Sequence, residues 1–188
     1  MATPKGQRIG IWIIAIALCV GTLGGFAVMI LGTGNAKIDQ AAQQKAVADQ
    51  TAQQEAASIA HAASSKPLDG YSAAAFDKAS VTALGVEVVK EGDGAAVAAD
   101  STIVADYFGW TSDGKIFDST NQDGTNTSAT FSLAQVIQGW TKGLNGVRVG
   151  STVKLTIPAD LAYGTAGSPP TIGASEPLQF IVTVKSIK

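Results

Sequence analysis

Hydrophobic and polar residues alternate strictly in several stretches of the C-terminal part of this chain. "STVKLTIP" (Ser151–Pro158) sets Val153, Leu155 and Ile157 on one side and Lys154 and Thr156 on the other, as a half-buried strand does. "PLQFIVTVKSIK" repeats the alternation with Leu178, Phe180, Val182 and Val184 in phase. "STIVADYFGW" (Ser101–Trp110) puts Ile103, Ala105 and Tyr107 on one face and runs into "TSDG", whose Asp113-Gly114 predicts a hairpin. "VTALGVEVV" (Val81–Val89) reads as a further strand ending at "EGDG". Between them "AQVIQGWTKGLNG" suits one short helix, with Asn145-Gly146 as a left-handed stop. The pattern predicts an α+β domain, an antiparallel sheet with one short helix against it.

The start of the chain has a different texture. Lys5 and Arg8 precede an uncharged run from Ile9 to Ala36. The run reaches the roughly 20 residues that a helix needs to cross a bilayer. A secretory signal has a shorter apolar region of about 7–15 residues, so an uncleaved anchor over 9–33 is favoured over a cleaved signal. Basic residues before the run predict a cytoplasmic N-terminus at 1–8, with the rest of the chain outside. The expected location is therefore the cell membrane, crossed once. Cys19 reads as an apolar filler. Gly21 and Gly25 form a GxxxG, a spacing that permits a homodimer through the anchor or the stalk that follows.

That stalk covers 36–65 and is rich in Ala and Gln, with no Gly or Pro, which predicts a helix. It has too few large aliphatics to bury a core. It reads as a solvated helical stalk or linker of roughly 45 Å, at 1.5 Å per residue, with His61 exposed upon it. "SSKPLDG" then breaks the helix, 66–80 leads in, and 81–188 forms the folded domain.

Charge and composition exclude several chemistries. Net charge is −2, which gives no reason to expect nucleic acid as a partner. One cysteine and one histidine rule out an internal disulfide and a Cys/His zinc site. A Ser-His-Asp or Cys-His nucleophile would have to use His61. "GWTSDGKI" approaches a phosphate loop but has Ile116 where Ser or Thr is required. "DSTNQDGTN" is rich in oxygens but lacks the closing bidentate Glu of a calcium loop. No cofactor and no metal are expected.

"QVIQGW" (Gln135–Trp140) places a Val-Ile pair and a tryptophan beside a glycine, as either core or the floor of a pocket. Together with "GKIFDST", "LTIPADLAYG" and a final "LQFIVTVKSI", in that order, it resembles the FK506-binding-protein (FKBP) type of peptidyl-prolyl cis–trans isomerase, over roughly Val81 to Lys188. The resemblance implies a half-barrel sheet wrapped around a short helix, with an apolar pocket between them. Carried over by motif, Tyr107 and Phe117 line that pocket, Phe131 stands in its wall, and Asp118 lies at its rim. Val136 and Ile137 form a further wall, Trp140 the floor, and Phe180 the back. Tyr163 reaches over the mouth, and Ile172 belongs to the flap after it. The glycine is read as turning the chain so that Trp140 lies flat.

The resemblance further implies proline-containing polypeptide clients outside the cytoplasm, and macrolides of the FK506 or rapamycin kind, as ligands. Asp118, Tyr163 and the Ile137 backbone N–H are the expected hydrogen-bonding groups of the reaction. The sequence departs from the family pattern in three places. Ala129 stands where a pocket aromatic is usual, the segment before "QVIQGW" is shorter than usual by about two residues, and in the flap Ser168 replaces a frequent histidine and Thr171 a frequent aliphatic. The Ala129 and flap changes keep open one alternative, a chaperone or scaffold that binds proline segments with little turnover. A further alternative is a surface protein in which the stalk matters and the pocket is vestigial.

Overall fold

The computed structural model describes residues 36–188. The expected anchor over 9–33 and its GxxxG lie outside the described residues. Among those described, no helix is long and apolar enough to cross a membrane.

Helix α1 spans Ala36–Ser64, 29 residues, as its strong helix formers predict. From residue 44 to Ala57 its side chains are exposed, as expected of a solvated stalk. Its last turn is not solvated. His61 is buried, and its Nε2 lies 2.7 Å from Asp118 Oδ1. The expectation of an exposed stalk histidine is therefore corrected. The helix end is held down because the chain beyond it pairs at once: β1 (Ser65–Lys66) places Ser65 opposite Gln122 and Lys66 opposite Asn121 of β5 (Asn121–Gln122). Strand β6 (Thr125–Asn126) completes this small sheet.

The main sheet is antiparallel. Its order is β2 (Gly85–Lys90), β8 (Thr152–Ile157), β9 (Leu178–Ile187), β3 (Thr102–Thr111) and β4 (Ile116–Ser119), and β7 (Ala129–Ser132) also pairs with β3. The central strands bury the residues that the alternation selected. Ile103, Ala105, Val153, Leu155, Ile157, Leu178, Val182 and Val184 are all fully enclosed on the inner face. Edge strand β2 begins at Gly85, and Val86, Val88 and Val89 stay exposed.

The other face of β3 is buried as well. Phe108 and Trp110 stack with centroids 5.0 Å apart. Leu68, from the segment read as a lead-in, packs with them and with Ile181 of β9, and Tyr71 and Phe76 lean against that cluster. The Trp110 indole N–H donates to the Ala74 carbonyl at 3.0 Å. The sheet thus has two buried faces, and residues 68–76 belong to its packing.

Helix α2 (Gln138–Leu144) lies across the inner face and buries Gly139, Trp140, Gly143 and Leu144. Gly139 sits inside this helix, so it does not turn the chain as expected. A Cβ there would come 2.6 Å from Ile157 Cδ1. The glycine lets α2 press against β8, which lowers Trp140 into the sheet. The left-handed glycine after the helix is Gly146, at φ 86°, as "NG" predicts.

Candidate active site

Strands β3 and β4 pair with Gly109 opposite Asp118. A Cβ on Gly109 would lie 2.6 Å from Phe180 Cδ1 and 2.7 Å from Phe117 Cζ. Its absence leaves room for those rings to meet edge to face, with centroids 5.6 Å apart at 89°. Trp140 enters from α2 among three further rings. Tyr107 stands at 88° to the indole and 5.2 Å away, Phe131 at 67° and 5.2 Å, and Phe180 at 85° and 5.5 Å. Aromatic rings favour such edge contacts because their quadrupoles then attract. The result is a flat indole ringed by upright aromatics. Among the described residues the buried indole Nε1–H has no acceptor. Leaving a buried donor unmade costs about 1–3 kcal/mol, and such exceptions call for a local reason.

Asp118 is completely buried. The Tyr107 hydroxyl donates to its Oδ2, and the His61 Nε2–H reaches its Oδ1 at 2.7 Å. Burial, and then the Asp118 charge, push the Tyr107 phenol well above its ordinary range. The same two causes, in the same order, raise Tyr163. Both phenols are therefore neutral donors across the physiological range.

Val136 and Ile137 precede α2 and pack, half-buried, against the inner core. The Ile137 carbonyl accepts the amides of Trp140 at 2.9 Å and Thr141 at 3.3 Å. Its own N–H has no backbone acceptor among the described residues. Ile172 sits on the flap, closed by a two-way bridge with Ser168, and its side chain is buried in the same cluster. Beside Phe117 lies a groove of about 480 Å³, bounded by Ile59 and Ala62 of α1, Ile116 of β4, and Pro170 and Thr171 of the flap. Glu176 ties the flap to the hairpin by accepting the Ser112 N–H at 2.8 Å and pairing with Lys78 at 2.9 Å.

All the residues named from the sequence come to one place. Tyr107, Phe117, Phe131, Trp140, Ile172 and Phe180 share one buried cluster, with Val136, Ile137 and Tyr163 packed against it. Asp118 joins through Tyr107. Sequence reasoning missed His61, Gln122 and the α1 residues of the groove. The one available signal was that the single histidine and Ile59, the last large aliphatic of the stalk, fall together just before the helix breaks. Among the described residues no group of three or more His, Cys, Asp or Glu could hold a metal ion.

A family model described as FKBP-type peptidyl-prolyl cis-trans isomerase matches residues 94–185. The chain is 39% identical over 102 residues to the "Outer membrane protein MIP" of Legionella longbeachae, covering 54% of this chain and 43% of that one. It is 41% identical over 111 residues to the FKBP-type isomerase FkpA of Escherichia coli K12, covering 59% and 40%. With "FK506-binding protein 1" of Candida albicans it shares 35% over 114 residues, 54% of this chain and 92% of that one. A crystal structure of a peptidyl-prolyl cis-trans isomerase from Pseudomonas syringae pv. tomato superposes with a TM-score of 0.52 at 27% identity, over 73% of this chain and 96% of the other. The chain thus spans less than half the length of the MIP and FkpA relatives.

Proposed function

Because this chain belongs to the FKBP-type peptidyl-prolyl cis-trans isomerase family, we propose that it accelerates rotation about Xaa-Pro peptide bonds of polypeptide clients, using the aromatic enclosure over Trp140 as its site. The observation that carries this reading is the ring of Tyr107, Phe131 and Phe180 standing around the indole, with Asp118 and Tyr107 joined at its edge.

The chemistry needs no nucleophile. The planar amide is held by resonance behind a barrier of about 18–20 kcal/mol, and uncatalysed prolyl exchange takes roughly 10–100 s. Twisting the bond destroys the resonance and with it much of the amide's charge separation. An apolar enclosure therefore favours the twisted state over the planar one. Each ~1.4 kcal/mol of that difference is tenfold in rate. In this reading the proline ring lies on Trp140 between Phe180 and Phe131. The Ile137 N–H donates to a substrate carbonyl, Tyr163 donates from the mouth, and Asp118 orients the group beside the rotating bond. None of these steps consumes a cofactor.

The same enclosure would take macrolides of the FK506 kind, with affinity reduced by Ala129, Ser168 and Thr171 around the mouth. The uncharged run over 9–33 and the basic residues before it support a single-pass tether, with the domain outside the cytoplasm. A protease added to sealed right-side-out vesicles should then digest the domain and spare the anchor.

The activity is tested by exchange of a short Xaa-Pro peptide with the full chain in mild detergent, comparing wild type with Asp118→Asn and Phe180→Leu. Both variants should fold and both should lose at least about tenfold in rate, or ~1.4 kcal/mol of transition-state stabilisation. Binding of the peptide without acceleration would move the conclusion to a proline-segment scaffold.

A further inference from the structure

A completely buried carboxylate with no partners would be prohibitively costly. Asp118 is completely buried, 0% exposed, but it is not unpartnered: its partners come from two distant parts of the chain. Tyr107 serves Oδ2 from within the sheet, and His61 serves Oδ1 from the last turn of α1. Among the described residues the His61 ring is its one nitrogen partner, with Nε2 2.7 Å from Oδ1.

The ring's proton can be placed. A carboxylate only accepts, so the His61 nitrogen facing it must carry hydrogen. The neighbouring Gln122 Nε2, 3.3 Å away, is itself a donor and is engaged by the Ser119 carbonyl at 2.7 Å and the Ser65 hydroxyl at 3.1 Å. The Nε2–H therefore points at Asp118. The helix end that carries it is clamped as well: the His61 carbonyl accepts the hydroxyls of Ser64 and Ser65, both at 2.9 Å. The pairing of Ser65 with Gln122 holds the turn against the strand that follows Asp118.

We propose that His61 is a positioning residue of the isomerase site, fixing the Asp118 carboxylate so that its other oxygen holds the Tyr107 hydroxyl, and that the end of α1 is thereby part of the active site. This rests on the reading of Asp118 as a group of that site. His61 touches no substrate. It acts through a relay: imidazole to carboxylate, carboxylate to phenol, and phenol ring to the Trp140 floor at 5.2 Å. Without the imidazole, Oδ1 is buried and unmatched, and the carboxylate turns to find another donor. That turn releases Tyr107 and alters the edge of the enclosure. The position of Ile59 and Ala62 along the groove beside Phe117 fits the same assignment, since it brings the helix end to the flank of the site.

The test measures kcat and KM for a Xaa-Pro tetrapeptide with the full chain in detergent, for wild type, His61→Ala, His61→Gln and Asp118→Asn. Gln carries an N–H donor near the place of the imidazole Nε2. The expected result is that His61→Ala loses about tenfold in kcat/KM, mostly in kcat, a size typical of a lost hydrogen bond to a charged group. His61→Gln should return to within about threefold of wild type. A downfield imidazole N–H should appear in the 1H–15N spectrum of the wild type. It belongs to His61 without ambiguity, because the chain has one histidine, and it should move in Asp118→Asn. Wild-type kcat in a folded His61→Ala overturns the proposal. So does an equal loss in the Ala and Gln variants with equal loss of thermal stability, which marks a purely structural contact. If His61→Ala does not fold, the Gln variant and the imidazole signal decide. If Asp118→Asn keeps full activity, the reading of the site fails and the inference falls with it. If Asp118→Asn is impaired and His61→Ala is not, only the inference fails.

Discussion

The two faces of strand β3 carry tryptophan-centred aromatic clusters of similar bulk and opposite character. On the outer face Trp110 stacks nearly parallel to Phe108, at 20°, and its N–H is satisfied by Ala74. On the inner face Trp140 is ringed by upright aromatics, and its N–H is unmatched among the described residues. The outer cluster is built as a core is built, with parallel packing and closed hydrogen bonds. The inner one keeps an open donor and has a buried carboxylate at its edge. The contrast teaches that burial alone does not mark a site. What marks it is burial combined with polar groups whose bonding is incomplete or comes from far away in sequence.

The sharpest way to break this comparison is to remove the outer tryptophan. Trp110→Ala should cost about 3–5 kcal/mol, as large-to-small core changes do, while kcat per folded molecule stays at the wild-type value. Chemical denaturation and an exchange assay at low temperature would check the two halves. A smaller loss of stability with a larger loss of function is expected for Gly139→Ala. Its Cβ would press on Ile157, with an overpacking cost of about 1–3 kcal/mol. The shift of α2 would lift Trp140 and depress turnover.

Alkaline titration sharpens the comparison from the side of electrostatics. Tyr107 and Tyr163 are both raised in the folded protein, by burial and then by Asp118. A raised folded pKa contributes stability that is fully present below the unfolded value, about 10. That stability is lost as pH rises through the folded value. Each phenol should therefore cost about 1.4 kcal/mol per pH unit above roughly pH 10, measured as a falling denaturation midpoint. The smallest expected effect on stability is that of Tyr163→Phe, which removes a half-buried hydroxyl with no partner among the described residues. Its thermal midpoint should be unchanged within error, and its kcat/KM should fall severalfold.

Much of this architecture could be read from local order. Val153, Leu155 and Ile157, and likewise Leu178 to Val184, announce their strands because a strand with one face on the main core repeats every two residues. The aromatics of the inner face could be placed because they fall in motifs of fixed order. The outer cluster could not, because its cover comes from Leu68, Tyr71 and Phe76, in a stretch with no period. Gly139 looked like a turn because its reason, the side chain of Ile157, is a tertiary neighbour. His61 was hidden for the same cause. Nothing in an Ala- and Gln-rich helix distinguishes its last turn until Ser65 pairs with Gln122, 57 residues on.

The most direct test of the central claim is two-dimensional exchange NMR of a proline peptide with the full chain, following the Trp140 indole N–H in the same samples. The account predicts cis–trans exchange far faster than the uncatalysed 10–100 s, and a Trp140 signal that shifts as peptide is added while that of Trp110 stays put. Unaltered exchange, or acceleration with the Trp140 signal unmoved, would contradict it.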